Sequence, residues 1–159
     1  MTRSLRVKFF ALENIEKDSK VCIFTRYERM QRLIINELSN KFKGINIAYI
    51  NGSMTPEERY EQAYTLFQDD PDYKVLIMTS AGEAGISLSK CKNLIEYDLA
   101  DSYAAQTQRH GRVRRSDSES KISNIYQIIL DNSWDEIMLK IINKKQNYDQ
   151  EIIKDLKKE

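Results

Sequence analysis

The chain has 159 residues, 41% of them apolar and 31% charged, the size and balance of a single globular domain rather than of a disordered or fibrous polymer. No run approaches the ~18 apolar residues of a membrane span, and residues 1–10 lack the long apolar stretch and small-residue cleavage site of a secretory signal, so an intracellular location, cytoplasm or nucleus, with no membrane partner, is expected. A net charge of +1 excludes the whole-chain electrostatic signature of a nucleic-acid binder, and any such contact has to come from a local groove.

Residues 1–20 predict a covering helix and lead-in. Val21-Cys-Ile-Phe24 reads as a buried strand, followed by a helix over 28–41 and a second strand over 47–50. Thr55-Pro-Glu-Glu58 is a helix start: Thr55 caps, Pro56 suits the first turn and Glu58 completes a capping box. That helix should run to 67 or 68 and stop at Asp69-Asp-Pro71. Strands follow over 75–78 and 94–97, then a helix over 102–112 and a fifth strand over 122–130. A second capping box, Ser133-Trp-Asp-Glu136, opens a C-terminal helix with apolar residues at helical spacing, among them Ile137, Met138, Ile141, Ile142 and Tyr148. Its lysines read as a solvated face. Continuously apolar strands separated by helices predict an α/β fold, a doubly wound, mainly parallel sheet with helices on both faces. The expected division is 1–20 lead-in, 21–132 main lobe and 133–159 C-terminal amphipathic helix. Cys22 and Cys91 are far apart and read as buried small side chains in a reducing compartment. A single histidine excludes most His-rich metal chemistry, so no metal site is expected.

Open parallel sheets bind ligands beyond the carboxyl ends of their strands. Those ends carry Thr25-Arg26, Asn51-Gly-Ser53, the segment from Thr79 to Gly85, and Asp98. Hydroxyls and small residues there let backbone amides approach phosphates, though the same residues suit ordinary turns. The segment Gln108-Arg-His-Gly-Arg-Val-Arg-Arg115 is more specific. Gln108, Arg112 and Arg115 fall at i, i+4 and i+7, one helical face, and two guanidiniums a turn apart suit a polyphosphate. Gly111 costs a helix about 1 kcal/mol relative to Ala, which suggests a close approach at that point. The bland alternative pairs the arginines with Asp117 and Glu119.

Gln-x-x-Gly-Arg-x-x-Arg resembles the sixth motif of superfamily-two helicases and translocases. Thr79-Ser-Ala-Gly-Glu-Ala-Gly-Ile-Ser-Leu88 is similar to their fifth motif in its Swi/Snf form, and Val21-Cys-Ile-Phe-Thr25 to their fourth. Asn51-Gly-Ser-Met-Thr-Pro-Glu-Glu-Arg59, the ten-residue step from Asp98 to Gln108, and the 133–145 helix also resemble that family, so the likeness spans about 15–148. Two departures stand out: Leu99-Ala-Asp-Ser102 replaces the Pro and Trp residues usual after the strand-end Asp, and Ser116-Asp117 replaces Ile-Gly-Gln. Both suit a phage, viral or restriction-type relative. No phosphate loop and no Asp-Glu-x-His motif occurs. The resemblance therefore implies a second RecA-like lobe, inactive alone, whose partner is the N-terminal lobe holding ATP with Mg2+. It implies that Arg112 and Arg115 act as arginine fingers, that Gln108 orients the nucleotide or the fingers, and that Gly82, Glu83, Gly85 and Gly111 also line the nucleotide cleft. Thr25, Arg26, Gly52, Ser53, Thr79 and Ser80 would bind nucleic acid, with double-stranded DNA favoured. An RNA helicase, a strand-separating DNA helicase or a non-catalytic RecA-like module are the alternatives.

Overall fold

A computed structural model of the chain describes residues 19–80, 85–113 and 124–156, so all but the last two residues of the expected covering helix lie outside the described residues. Five strands, β1 (Val21–Thr25), β2 (Asn46–Ile50), β3 (Tyr73–Thr79), β4 (Asn93–Glu96) and β5 (Asn124–Gln127), form one sheet in the order β2-β3-β1-β4-β5. Every neighbouring pair is parallel. β1 is central, with Val21 opposite Val75 on one side and Asn93 on the other. A strand buried on both faces and paired on both edges has no solvated side, which is why all five of its residues are buried.

Side chains alternate across the pleat and feed two cores. Cys22 and Phe24 join Ala48, Ile50, Leu76, Met78 and Leu94 on one face. Val21 and Ile23 join Val75, Ile77 and Ile95 on the other. The second face is covered by helix α1 (Glu28–Lys41) through Ile34 and Leu38. The first is covered by Ala63 and Phe67 and by Ile86, Leu88 and Cys91. The doubly wound reading holds.

Helix α2 (Pro56–Tyr60) starts on the predicted capping box. Glu58 N–H donates to Thr55 Oγ1 (3.2 Å) and Thr55 N–H to Glu58 Oε2 (2.8 Å). The chain continues as a π-helical segment, Glu61–Asp69, a wider winding than the sequence pattern predicts. Its carboxyl end is held by Lys20, whose Nζ donates to the carbonyls of Phe67, Asp70 (2.8 Å) and Tyr73 (3.0 Å). Helix carbonyls lacking an intrahelical donor need such a partner.

Helix α3 (Tyr103–Val113) and helix α4 (Trp134–Leu156) complete the fold. Ser133 caps α4 by accepting from Asp135 N–H (3.1 Å). The reciprocal carboxylate is that of Asp135, which accepts from Leu130 N–H at 3.3 Å, rather than Glu136 as the capping-box spacing suggested. The Ser133 hydroxyl donates to Leu130 O (2.6 Å) and bends the chain back, so the reciprocal bond lands upstream. Among the described residues no helix is long and apolar enough to cross a membrane.

Candidate nucleotide and nucleic-acid interface

The described strand ends that the sequence singled out lie along one edge of the sheet, because β1 to β4 are parallel. Asp98, two residues beyond β4, organises its middle: Oδ2 accepts from the Thr25 hydroxyl (2.6 Å) and from Arg26 N–H (3.0 Å). The Arg26 guanidinium donates to Leu99 O (3.3 Å) and pairs with Asp101. Thr25 is fully buried and its hydroxyl is committed to Asp98; Thr79 is 2% exposed. These two threonines, paired with each other as the last residues of β1 and β3, build the rim from inside and do not present hydroxyls to solvent. Gly52, Ser53 and Ser80 are exposed and Arg26 is half-buried.

The turn after β2 is held from beneath. Gln31, 1% exposed in the first turn of α1, donates to Ile50 O (2.9 Å) and Ile77 O (2.8 Å) and accepts from Asn51 Nδ2 (3.3 Å). Asn51 Oδ1 in turn accepts from Ser53 N–H (3.2 Å) and the Ser53 hydroxyl (2.7 Å), an Asx turn. Arg59 donates to Gly52 O (3.3 Å). Exposed Gly52 and Ser53 are thereby presented on a fixed backbone. Nothing in the sequence distinguishes Gln31 from the other polar residues of α1.

The segment after β3 is clamped between two elements. Ser87 N–H donates to Tyr64 Oη (3.0 Å), Gln68 Nε2 donates to Ser87 O (2.9 Å), and Ser89 Oγ donates to Gln68 Oε1 (3.1 Å), all fastening it to the π-helical segment. On the other side Leu88 N–H donates to Arg112 O (3.0 Å) and Arg112 Nη1 donates to Ile86 O (3.1 Å). The fifth and sixth motifs thus meet. Gly85 begins this segment with φ +81, the left-handed region where a side chain is strained. Gly82 and Glu83 lie outside the described residues, as does Arg115.

On α3, Gln108 is exposed and Arg112 half-buried, one turn apart on a common face. Among the described residues no carboxylate pairs with Arg112, and only one of its five donors goes to Ile86. A Cβ at Gly111 would meet nothing within 4 Å. Among the described residues, then, nothing makes the close approach expected at Gly111. Exposed Gln108 and a guanidinium that meets no carboxylate among the described residues fit an oxyanion such as a terminal phosphate.

Arg109 is the residue the motif reading left out. It is 3% exposed, its guanidinium lies 4.0 Å from the Phe24 ring centroid, and Nη1 donates to Asp98 O (3.2 Å). Glu96 Oε1 is 3.8 Å from Arg109 Nη1 and 3.5 Å from His110 Nε2, outside hydrogen-bonding geometry, while Glu96 Oε2 accepts from Gln127 Nε2 at 2.7 Å. The available signal was Glu96 itself, a charge within an apolar strand, which has to be paired if buried.

A family model described as the helicase conserved C-terminal domain matches residues 5–117. An uncharacterized ATP-dependent helicase of Bacillus subtilis, YqhH, is 30% identical over 139 residues, 87% of this chain and 24% of that protein. ISW1 of Saccharomyces cerevisiae, an ISWI chromatin-remodeling complex ATPase, is 29% identical over 140 residues, 87% of this chain and 12% of that protein. The chain thus spans a quarter or less of the length of these relatives. The crystal structure of the C-terminal part of the Fun30 ATPase domain superposes with a TM-score of 0.79 at 22% identity, covering 89% of this chain and 45% of that one, which fixes the fold as RecA-like. A match over most of the chain, joined to the meeting of the fifth and sixth motifs at Arg112, places the chain in the helicase conserved C-terminal domain family.

Proposed function

We propose that this domain is the second RecA-like lobe of an ATP-dependent translocase acting on double-stranded DNA, and that Arg112 and Arg115 reach ATP held with Mg2+ on the first lobe. The observation that carries the reading is the state of Arg112. Its guanidinium is oriented by the Ile86 carbonyl, shares a helix face with exposed Gln108, and meets no carboxylate among the described residues. Positive charge fixed in this way stabilises the charge spread over the transferred phosphoryl group, an effect of about 10³ to 10⁵ in rate, or roughly 4 to 7 kcal/mol. Arg115, three residues on, supplies the second charge, and Gln108 orients the nucleotide or the fingers. Gly82, Glu83 and Gly85 couple the cleft to the strand-end rim. There Gly52, Ser53, Ser80 and Arg26 contact backbone phosphates, with Thr25 and Thr79 shaping the rim from within. Such contacts position a polymer without reading its sequence.

Duplex DNA is supported by the Ala81-Gly82, Gly85-Ile86-x-Leu88 form of the fifth motif and by the likeness to a chromatin-remodeling ATPase over 87% of the chain. The test uses the full-length ATPase. Arg112→Ala and Arg115→Ala should each lower ATP turnover by about 10³ while leaving nucleic-acid affinity within about twofold. Duplex DNA should stimulate wild-type hydrolysis more than single-stranded DNA or RNA. Wild-type turnover in both variants overturns the finger assignment, and stronger stimulation by RNA or single strands replaces the duplex reading. Robust hydrolysis by the 159-residue chain alone would contradict a divided ATP site.

A further inference from the structure

Glu96 is 0% exposed at the carboxyl end of β4, and the phosphate chemistry proposed above makes no use of it. Its charge faces Arg109, itself 3% exposed, and its other oxygen is fixed by Gln127 from β5. We propose that Glu96 and Arg109 are positioning residues for the finger motif, setting the rotation of α3 about its own axis. This inference rests on the reading of Arg112 as a finger.

Arg109 follows Gln108 directly and precedes Arg112 by three places, so its anchor determines where both of those side chains point. The anchor includes the Phe24 ring of β1 at 4.0 Å, the Glu96 carboxylate of β4 at 3.8 Å and the Asp98 carbonyl just beyond β4 at 3.2 Å. The far end of α3 is separately tied by the Leu88–Arg112 and Arg112–Ile86 hydrogen bonds. One attachment alone would let the helix roll; two at different points along it leave a single orientation. An apolar pair of equal volume fills the same space without that directionality, and such replacements of buried ion pairs are often neutral for stability. A charge in this core therefore acts chiefly on orientation. Asp98 joins the two systems, since its carboxylate holds Thr25 and Arg26 while its carbonyl holds Arg109.

The experiment compares Glu96→Gln, the double variant Glu96→Leu with Arg109→Met, and Arg112→Ala, all in the full-length ATPase. Assays run about 20 °C below each variant's unfolding midpoint, so that folded protein is measured. Glu96→Gln keeps an acceptor for Gln127 and removes the charge; the double variant removes both charges and keeps the packing. In both, kcat should fall about tenfold or more with KM for ATP within about twofold, the split expected when groups are misdirected only in the transition state. Amide exchange over 106–113 should quicken while β1 and β3 are unchanged. Should Glu96→Gln fail to fold, the double variant still decides. A kcat within twofold of wild type in the double variant, with Arg112→Ala inactive, overturns this inference and leaves the fingers standing. Full turnover in Arg112→Ala overturns the fingers and this inference with them.

Discussion

Gln31→Leu tests whether the rim of the sheet is held from beneath. The substitution keeps side-chain volume and removes three hydrogen bonds at a site 1% exposed: two to the carbonyls of Ile50 and Ile77 and one from Asn51. A buried polar group that loses its partner costs about 1–3 kcal/mol, against about 1 kcal/mol for the net worth of an ordinary bond. Two carbonyls and an amide stranded together give a destabilisation of about 3 kcal/mol, within a range of roughly 2 to 5. For a domain of this length each kcal/mol shifts the thermal midpoint by roughly 2–4 °C, so a fall of about 6–12 °C is expected. Urea unfolding followed by circular dichroism should show a lower midpoint with an unchanged slope. Gln31→Glu should be at least as harmful, because it turns a second acceptor toward two carbonyl oxygens. A Gln31→Leu midpoint within about 2 °C of wild type would mean that those carbonyls find other donors and that the turn after β2 stands without Gln31.

Lys20→Met should cost about 2 kcal/mol, read by the same unfolding assay, because the ammonium satisfies three carbonyls where the π-helical segment gives way to β3 and methionine donates to none. Alkaline pH should destabilise the fold. Burial pushes the Cys91 thiol up to about 12 from 9.0, and burial, then the neighbouring Asp98, pushes the Tyr97 hydroxyl up to about 12 from 10.0. Both folded values exceed the unfolded ones, so these groups' contribution is complete below pH 9 and is lost as pH rises towards 12. Urea midpoints measured between about pH 8 and 11 should fall less steeply in Cys91→Ala and Tyr97→Phe than in wild type, and equal slopes would refute this account.

The legible parts of the fold were those governed by local rules. Helix α1 spans 28–41 as predicted, and Thr55 and Glu58 form the box that their spacing implies, because capping is decided within four residues. The continuous apolar runs marked four of the strands for the same reason. Strand order was not readable, since the run at 21–24 says nothing about which later runs will flank it. The π-helical winding over Glu61–Asp69 escaped as well, its apolar positions suiting an α-helix equally. At the site, the motif reading brought out Gln108 and Arg112 on α3 and Gly52 and Ser53 on the rim, and overlooked the buried residues beside them, Glu96 and Arg109 under α3 and Gln31 beneath the turn after β2. A buried polar residue on a helix, such as Gln31 or Arg109, looks like its exposed counterpart until the partner element is known, whereas Glu96 within an apolar strand did carry a signal. Ser133 shows the same limit on a smaller scale: the cap was legible, but Asp135 took the reciprocal role because the preceding turn brought Leu130 N–H within its reach.

The central place of β1 bears on how the domain is made. It leaves the ribosome first among the five strands, yet the strands that cover its edges, β3 and β4, begin about fifty and seventy residues later. At synthesis rates of about 5–20 residues per second, that apolar stretch waits several seconds before both neighbours exist. During that interval α1 is its nearest available shield, and a nascent chain released before β4 would expose one unpaired edge of its innermost strand to any other such chain nearby.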